Sequence, residues 1–388
     1  MKVAMLSHLA SKSAPTGAER VLELVARGLV NRGHRVAVSA PGPWALDASL
    51  SRSGVELRSI PVRCCWLVQA DRQPVWRQLW RGARFNLPDP GMRALGSFIR
   101  EFAPDVVHVN CLPHLRGAAA AREAGRPVLW HLHEIMPPGP RRRWFAGRLR
   151  RDATRIVAVS EAVARWVREE GLGAVVEVVH NGVEAPKRLP DRASTRRHFG
   201  LPPEHTVIGL FSQLVAHKGA IDFVRAAHRM AEQDPDAWFL IAGHGPDTFV
   251  AQLHRAIGDG PAAGRVRVVP PQPEIWELMA AVDVLALTTL WPDPLPRVVM
   301  EAMATARPVV AYGGGGVPEM VVDGETGLVC SPADVAALAS AMGRLSADPE
   351  LRRRMGEAGA RRARELFSVE RHLDRMEVIL ESAASSRR

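Results

Sequence analysis

The sequence predicts an α/β protein made of two doubly wound domains, each built on a parallel sheet. Its 388 residues exceed the roughly 100–200 residues of a typical single domain. Short apolar, β-branched runs alternate with amphipathic stretches, which is typical of parallel sheets covered by helices. The alternation stops at a polar stretch near the middle and then restarts, so two domains of similar size are expected.

The first half contains apolar runs that predict strands, separated in places by amphipathic stretches at residues 19–31 and 161–170 that predict helices. The runs are residues 3–7, 35–40, 55–60, 105–110, 127–131, 155–159 and 175–179. Residues 184–192 carry two prolines and mixed charge, which favours a linker. The sequence therefore predicts a first domain over residues 1–184.

The second half repeats the pattern, and the second domain is expected over residues 185–365. Predicted strands are residues 206–212, 237–242, 266–269, 283–287 and 308–311, with helices around 221–232, 274–281 and 297–305. The final residues, from 351 onward, are rich in Arg and Glu with helical periodicity. Residues 366–380 are the candidate for a last helix.

Composition excludes several classes of protein. With 47% hydrophobic and 24% charged residues, the chain resembles an ordinary globular protein and not a disordered one. Its four cysteines form no CxxC pair, which argues against a disulfide scaffold or structural zinc and favours the reducing cytoplasm. No run of about 18 apolar residues predicts a membrane span, and the first residues lack a signal-like cleavage site.

The net charge of +10 predicts attraction to anions. Nucleotide-sugars, anionic lipids and nucleic acid are the phosphate-bearing partners that remain. Ligands of doubly wound sheets bind at the carboxyl ends of the strands, so the loops that follow strands are where chemistry is expected.

Two such loops lie in the first half. Gly17 begins a predicted helix, whose free N–H groups suit a phosphate or a sugar hydroxyl, although a plain helix start has the same pattern. His133 follows a strand, where it is either a catalytic group or a polar residue with its hydrogen bonds satisfied. A metal site at His131 and His133 is not favoured, because no further ligand cluster accompanies them.

Two further loops lie in the second half. Lys218 precedes a helix start and can place its ammonium on a phosphate, or remain solvated at a loop tip. Asp293 lies in a proline-bracketed loop, and Glu301 lies in the helix that follows. These carboxylates can accept hydrogen bonds from sugar or ribose hydroxyls while Arg297 binds a diphosphate. Alternatively, Asp293 is a helix-capping residue and Glu301 is a buried structural glutamate.

In this order, these features resemble the family 4 glycosyltransferases of the GT-B fold over nearly the whole chain. The matching segments are residues 16–20, 133–134, 181–184, 212–219, 293–301, 313–319 and 323–328. The resemblance implies two domains facing a central cleft, with residues 366–388 packing back on the N-terminal domain. It also implies transfer of a sugar, with retention of configuration, from a nucleotide-diphosphate donor to an acceptor hydroxyl.

The resemblance implies roles for individual residues. Lys218 would contact the diphosphate, Asp293 the donor sugar and Glu301 the ribose. His133 would approach the transferred sugar, and the loop of Gly17 would contact the diphosphate or the acceptor. The scheme needs no metal and no cofactor besides the nucleotide-sugar itself, and no Asp-x-Asp motif is present.

Three departures from the family pattern bear on the donor. Gln213 stands where an arginine is frequent, Asp293 is one methylene shorter than the usual glutamate, and Pro296 replaces a frequent glycine. Because proline has no N–H, Arg297 and Val298 are left as the backbone donors. Donor identity is therefore not carried over.

Arginines interleaved with aromatic residues at 74–85 and 141–151 bear on the acceptor. They predict an interfacial membrane patch or a lipid-linked acceptor site, with a solvated arginine face as the alternative. Glycolipid, cell-surface polysaccharide and natural-product acceptors stay open, as does peripheral attachment to the inner face of the membrane. Nucleic acid is not favoured, because no recognised module accompanies the charge.

A GT-B epimerase and a nucleotide-sugar-binding protein without turnover are the alternative functions.

Overall fold

A computed structural model describes residues 1–12, 15–65, 76, 80, 83, 85, 87–232, 234, 236–258 and 260–386. The chain divides into two units. Unit 1 comprises Met1–Gly182 together with Val369–Arg388, and unit 2 comprises Val183–Ser368.

Unit 1 is built on a parallel sheet of seven strands in the order β3-β2-β1-β4-β5-β6-β7. The strands are β1 (Lys2–Ser7), β2 (Arg35–Ala40), β3 (Glu56–Ser59), β4 (Val106–Asn110), β5 (Val128–Leu132), β6 (Arg155–Ala158) and β7 (Val176–Val178). Strands β1, β4 and β5 are almost wholly buried, as expected for a sheet covered on both faces. The bounds of all seven strands agree with the runs predicted from the sequence to within a residue or two.

The described helices of unit 1 cover this sheet. They are α1 (Gly17–Asn31), α2 (Asp47–Arg52), α3 (Gly91–Phe102), α4 (Leu115–Glu123), α5 (Pro140–Asp152), α6 (Glu161–Glu169) and the C-terminal helix (Val369–Ser385). The C-terminal helix packs on α1, β4 and β5, where Leu373 fills the space over Gly28. The preceding helix ends at Leu366, so the last helix begins three residues later than predicted. The reason is a break at Phe367, which is buried and accepts the N–H of Val183 at 2.8 Å.

Unit 2 is built on a parallel sheet of six strands in the order β10-β9-β8-β11-β12-β13. The strands are β8 (Val207–Phe211), β9 (Trp238–Ala242), β10 (Val266–Val269), β11 (Val284–Leu287), β12 (Val309–Tyr312) and β13 (Gly327–Cys330). Its helices are α7 (Arg192–His198), α8 (Ala220–Ala231), α9 (Asp247–Ile257), α10 (Ile275–Ala281), α11 (Arg297–Ala304), α12 (Val317–Met320), α13 (Val335–Ala347) and α14 (Pro349–Leu366).

Each sheet reverses its strand order at one place, between β1 and β4 in unit 1 and between β8 and β11 in unit 2. In a doubly wound sheet, the loops at the carboxyl ends of such neighbouring strands splay apart and leave room for a ligand. The candidate residues of both halves lie in these loops or beside them. None of the described helices is both long and apolar enough to cross a bilayer.

Candidate active site

In unit 2, the loops after β8 and β11 bring together a lysine and an aspartate that are 75 residues apart. The Nζ atom of Lys218 donates to Oδ2 of Asp293 at 2.7 Å. Their side chains are 23% and 15% exposed, so the ion pair is accessible from solvent without being fully hydrated. An anionic ligand can reach the ammonium only by competing with this carboxylate.

The backbone around Lys218 is fixed by the neighbouring loop. Gly219 has φ of 71°, and an added Cβ would lie 1.9 Å from the carbonyl oxygen of Thr288. The buried hydroxyl of Thr288 lies 3.0 Å from the carbonyls of Lys218 and Gly219 and donates to them. Leu290 N–H donates to the carbonyl of His217 at 2.9 Å. Glycine is therefore required at 219, because only it combines a positive φ with this close approach.

The loop of Asp293 is fixed by the glycine-rich segment 313–316. Gly315 has φ of 60°, and an added Cβ would lie 2.1 Å from the carbonyl oxygen of Asp293. Gly316 N–H donates to the same oxygen at 2.8 Å. Both partners of the ion pair are thus held by their backbones, which limits the entropy lost when a ligand binds.

Beside this pair, α11 begins at Arg297 with Pro296 at its N-cap and no capping side chain. Nε of Arg297 donates to Oε1 of Glu301 at 2.8 Å, and Glu301 is buried. The Nη1 atom of Arg297 is buried and has no hydrogen-bond partner among the described residues. An unpaired guanidinium N–H next to the free first-turn N–H groups of Arg297 and Val298 is suited to an anion.

Gln213, predicted to face the donor, lies in the loop after β8 with an exposed side chain. Two glycines after β9 hold this loop: an added Cβ on Gly243 or Gly245 would lie within 2 Å of the carbonyls of Ser212 and Leu214. These glycines and Thr288 were missed from the sequence. Their position just after buried strands is the signal that could have identified them.

In unit 1, Gly17 is the first residue of α1, and an added Cβ would meet no atom within 4 Å. The side chain of Glu19 folds back to accept the N–H groups of Thr16 and Ser11 at 2.7 and 2.8 Å. Burial alone would raise the pKa of Glu19, but hydrogen bonds from the Ser11 hydroxyl and from these two N–H groups outweigh it and hold the pKa below its usual value. The negative charge makes this helix start better suited to a hydroxyl than to a phosphate.

His133 lies one residue beyond the end of β5, and its Nε2 is 3.0 Å from Oδ1 of Asn110. Because the Asn110 amide nitrogen donates to the Ala18 carbonyl at 3.2 Å, the oxygen faces the imidazole, and Nε2 must carry the proton. Burial, and then the neighbouring His108, lower the pKa of His133 to about 3. His133 is therefore neutral at physiological pH, with Nδ1 as a hydrogen-bond acceptor.

His131 is a core residue rather than a ligand. It is fully buried, its Nδ1 lies 3.3 Å from Nε2 of His108, and its ring centre lies 4.3 Å from that of His133. Burial lowers its pKa well below the usual value. Asn110, which lies beside His133 at the end of β4, was not identified from the sequence. Glu134 was identified only as part of the matching segment 133–134, with no role of its own.

Helix α5 carries the basic segment 141–151 that bears on the acceptor. Trp144 is 36% exposed, and the guanidinium of Arg148 lies 4.9 Å from its ring centre. Arg142 is paired with Glu169 and Glu170, so it does not contribute free positive charge. Of the other segment, 74–85, only residues 76, 80, 83 and 85 are described, and the rest of that prediction lies outside the described residues.

Both halves of the chain match known family models. Residues 15–186 match the model for Glycosyltransferase Family 4, and residues 191–362 match the model for Glycosyl transferases group 1. A GDP-mannose-dependent alpha-(1-6)-phosphatidylinositol monomannoside mannosyltransferase of Mycolicibacterium smegmatis is 34% identical over 63% of this chain and 67% of its own length. An alpha-maltose-1-phosphate synthase of the same organism is 29% identical over 74% of this chain and 84% of its own.

Solved structures show the same fold. The Anabaena protein HepE in complex with UDP superimposes with a TM-score of 0.80 at 25% identity, covering 98% of this chain and 100% of that one. A glycosyltransferase from Rickettsia africae has a TM-score of 0.81 at 17% identity, with 99% of each chain covered. The predicted fold class is thereby confirmed. The chain belongs to the family 4, group 1 glycosyltransferases of the GT-B fold, which use nucleotide-sugars as donors.

Proposed function

We propose that this chain transfers a sugar from a nucleotide-diphosphate donor to an acceptor hydroxyl, with retention of configuration at the anomeric carbon. The observation that carries the proposal is the accessible ion pair of Lys218 and Asp293 beside the uncapped start of α11. This arrangement offers a cation and free N–H groups for a diphosphate, and a carboxylate for sugar hydroxyls.

In the proposed complex, Lys218 and the unpaired Nη1 of Arg297 stabilise the departing diphosphate. The backbone N–H groups of Arg297 and Val298 add dipoles aimed at the same charge. Such contacts typically contribute about 2.7–4 kcal/mol each to transition-state stabilisation. Asp293 then accepts hydroxyls of the donor sugar, and Glu301 accepts those of the ribose.

The low pKa of the His133 imidazole supports retention of the anomeric configuration. Inversion needs a general base whose pKa lies near the working pH, and an imidazole with a pKa of about 3 is poorly matched to that task. In a retaining reaction the leaving phosphate accepts the acceptor proton, so His133 has only to hold a hydroxyl through its Nδ1. The product sugar is then released with the same anomeric configuration as the donor.

The donor site can be tested with a panel of UDP-, GDP-, ADP- and dTDP-sugars in thermal unfolding. At least one is expected to raise the Tm, because a ligand that binds the native state stabilises it. Lys218→Ala is expected to remove the shift, whereas the matched Lys187→Ala, in an exposed position of the same unit, should keep it. A shift that survives in Lys218→Ala would contradict the assignment of the donor site.

The products then separate the three candidate functions. A sugar transferred with unchanged anomeric configuration, measured by proton NMR, supports the proposal. An inverted product contradicts retention. A free epimerised sugar without an acceptor indicates an epimerase, and binding without turnover on any acceptor indicates a binding protein.

We also propose that the acceptor is lipid-linked and that α5 holds the protein at an anionic membrane surface. The similarity to a phosphatidylinositol monomannoside mannosyltransferase and the exposed Trp144 with Arg143 and Arg148 support this. The protein should co-sediment with phosphatidylglycerol vesicles but not with neutral ones. Arg143→Glu with Arg148→Glu should weaken this binding, whereas Arg225→Glu in unit 2 should not. Equal binding by all variants would contradict the role of α5.

A further inference from the structure

Glu134 connects two strand-end loops of unit 1. Its Oε2 accepts the N–H of His133 at 3.0 Å, and its carboxylate accepts the N–H of Leu112 at 3.1 and 3.2 Å. The thiol of Cys111 lies close enough to the same carboxylate to lower its pKa. Its own carbonyl accepts the indole N–H of Trp166 at 3.0 Å, which fixes the backbone from behind. The loop after β4 is thus tied to the loop after β5.

The loop after β4 has an uncommon backbone. Cys111 has φ of 72°, a left-handed conformation that non-glycine residues rarely adopt and that persists only when the surroundings impose it. The side chain of Glu134 holds the next N–H, that of Leu112. The residue just before, Asn110, bridges His133 and the carbonyl of Ala18 at the start of α1. The position of Asn110 against His133 therefore depends on the carboxylate of Glu134.

We propose that Glu134 is a positioning residue of the transfer reaction: its ionised carboxylate fixes the two loops that aim Asn110 and His133, and its protonation releases them. The proposal rests on the proposed function, in which His133 holds a sugar hydroxyl. Glu134 itself touches no substrate in this scheme.

The hydrogen bonds explain why ionisation matters. The carboxylate is surrounded by donors: two backbone N–H groups and a thiol. A protonated carboxyl adds an O–H that needs an acceptor, and the sulfur of Cys111 is the weak acceptor within this set. One of the hydrogen bonds that the carboxylate accepts from Leu112 or His133 must then weaken or break. The ionised form is the one that completes the network.

The titration falls near neutral pH. Burial raises the pKa of Glu134 to about 7, against the opposing backbone hydrogen bonds. The surrounding titratable groups keep their protonation state between about pH 5.5 and 8.5. They are His8 (pKa lowered to about 4), Glu19 (lowered), Cys64 (raised to about 12), Cys111 (raised), His131 (lowered) and His133 (lowered to about 3). The arrangement in which ionised Glu134 holds Asn110 and His133 in place is therefore gained as the pH rises through about 7.

The first test needs no turnover. In protein with carbon-13-labelled histidine, the ring resonance of His133, assigned with His133→Gln, is followed by NMR from about pH 5.5 to 8.5. We expect an inflection near pH 7 in the wild type, none in Glu134→Gln, and a wild-type curve in the surface control Glu123→Gln. An inflection retained in Glu134→Gln, or none in the wild type, overturns the proposal.

The second test measures kinetics and nucleotide binding. Glu134→Gln should lower kcat by about a hundredfold at pH 8, as expected for a misplaced reacting group, and leave a pH-independent kcat. Its Kd for the nucleoside diphosphate should be unchanged, and Glu134→Asp should restore part of the pH dependence. An unchanged kcat and pH profile in Glu134→Gln overturns the positioning role. An NMR inflection near pH 7 in a protein that binds nucleotide but transfers no sugar would instead contradict the proposed function.

Discussion

The switch points of the two units share one topology and differ in electrostatics. In unit 2, the loops at the carboxyl ends of the strands present ion pairs, Lys218 with Asp293 and Arg297 with Glu301. In unit 1, the loop after β5, beside the switch point, presents the neutral imidazole of His133 and the high-pKa carboxyl of Glu134. The same strand order thus supports a site built on ion pairs in unit 2 and a site with a neutral imidazole in unit 1.

The difference comes from how each set of loops is held. In unit 2, glycines at 219 and 315 let backbones pack against each other, so the charged side chains are free to stay partly solvated. In unit 1, hydrogen bonds from the side chains of Asn110 and Glu134 hold the loops, and burial disfavours the charged forms of Glu134 and His133. The location at a switch point therefore predicts that a ligand binds, while the burial of titratable groups determines which charge the ligand carries.

The largest expected effect is acid sensitivity confined to unit 1. Burial lowers the pKa of six of its histidines: His8, His108, His114, His131, His133 and His372. Their unfolded-state value is 6.5, so the unfolded state binds protons that the native state does not, and stability falls as the pH drops from 6.5 toward 4. Each imidazole contributes up to about 1.4 kcal/mol per pH unit.

Glu134 acts in the opposite direction, because its raised pKa costs stability as the pH rises from 4.5 to about 7, but it is one group against six. Hydrogen exchange, corrected for intrinsic rates, should show amides of β4 and β5 losing protection before those of β8 and β11 on acidification. His372→Gln keeps a donor for the His180 carbonyl and should reduce the slope. Earlier loss in unit 2 would contradict the comparison.

Next in size is Gly219→Ala in unit 2. The new methyl group would collide with the Thr288 carbonyl at a positive φ, which should cost about 3 kcal/mol and remove nucleotide binding. Gly324→Ala is the matched control, because Gly324 has φ of 77° but no atom within 4 Å of an added Cβ. It should lose about 1 kcal/mol in urea unfolding. Equal losses in the two variants would show that close packing does not hold the Lys218 loop.

A smaller loss is expected when the pair of Arg297 and Glu301 is broken. Arg297→Met removes the guanidinium that donates to the buried Glu301 carboxylate, which should cost about 2 kcal/mol in the free energy of unfolding. Adding Glu301→Gln should recover part of this loss in a double-mutant cycle. Additive losses would mean that the ion pair is not coupled in the native state.

The smallest effect on stability is expected for Gly17→Ala in unit 1. The first turn of α1 has room for the methyl group, so the free energy of unfolding should rise by about 0.5 kcal/mol. If a substrate hydroxyl occupies that space, kcat/KM should fall despite the gain in stability. A variant with unchanged kcat/KM would remove Gly17 from the candidate site.

Buried strands could be predicted closely because their apolar runs are continuous, as in β1 and β8. Strand β13 was not predicted as a strand, since it begins at Gly327 and follows the turn of Gly324, and both glycines favour a loop. The pairing of Lys218 with Asp293 was also out of reach. It depends on β8 and β11 being neighbours, whereas the sequence shows only that each residue follows a strand. The site residues themselves remain predictions.

The ion pair of Lys218 with Asp293 also disfavours the binding of small anions to the Lys218 ammonium. A lone phosphate or sulfate would have to displace the aspartate and would leave that carboxylate with no donor in exchange. A molecule that carries a diphosphate and several hydroxyls replaces both partners of the ion pair. Its diphosphate neutralises the Lys218 ammonium, and its hydroxyls donate to the Asp293 carboxylate. Selectivity for a sugar nucleotide over its inorganic fragments can thus arise before any base or sugar is recognised.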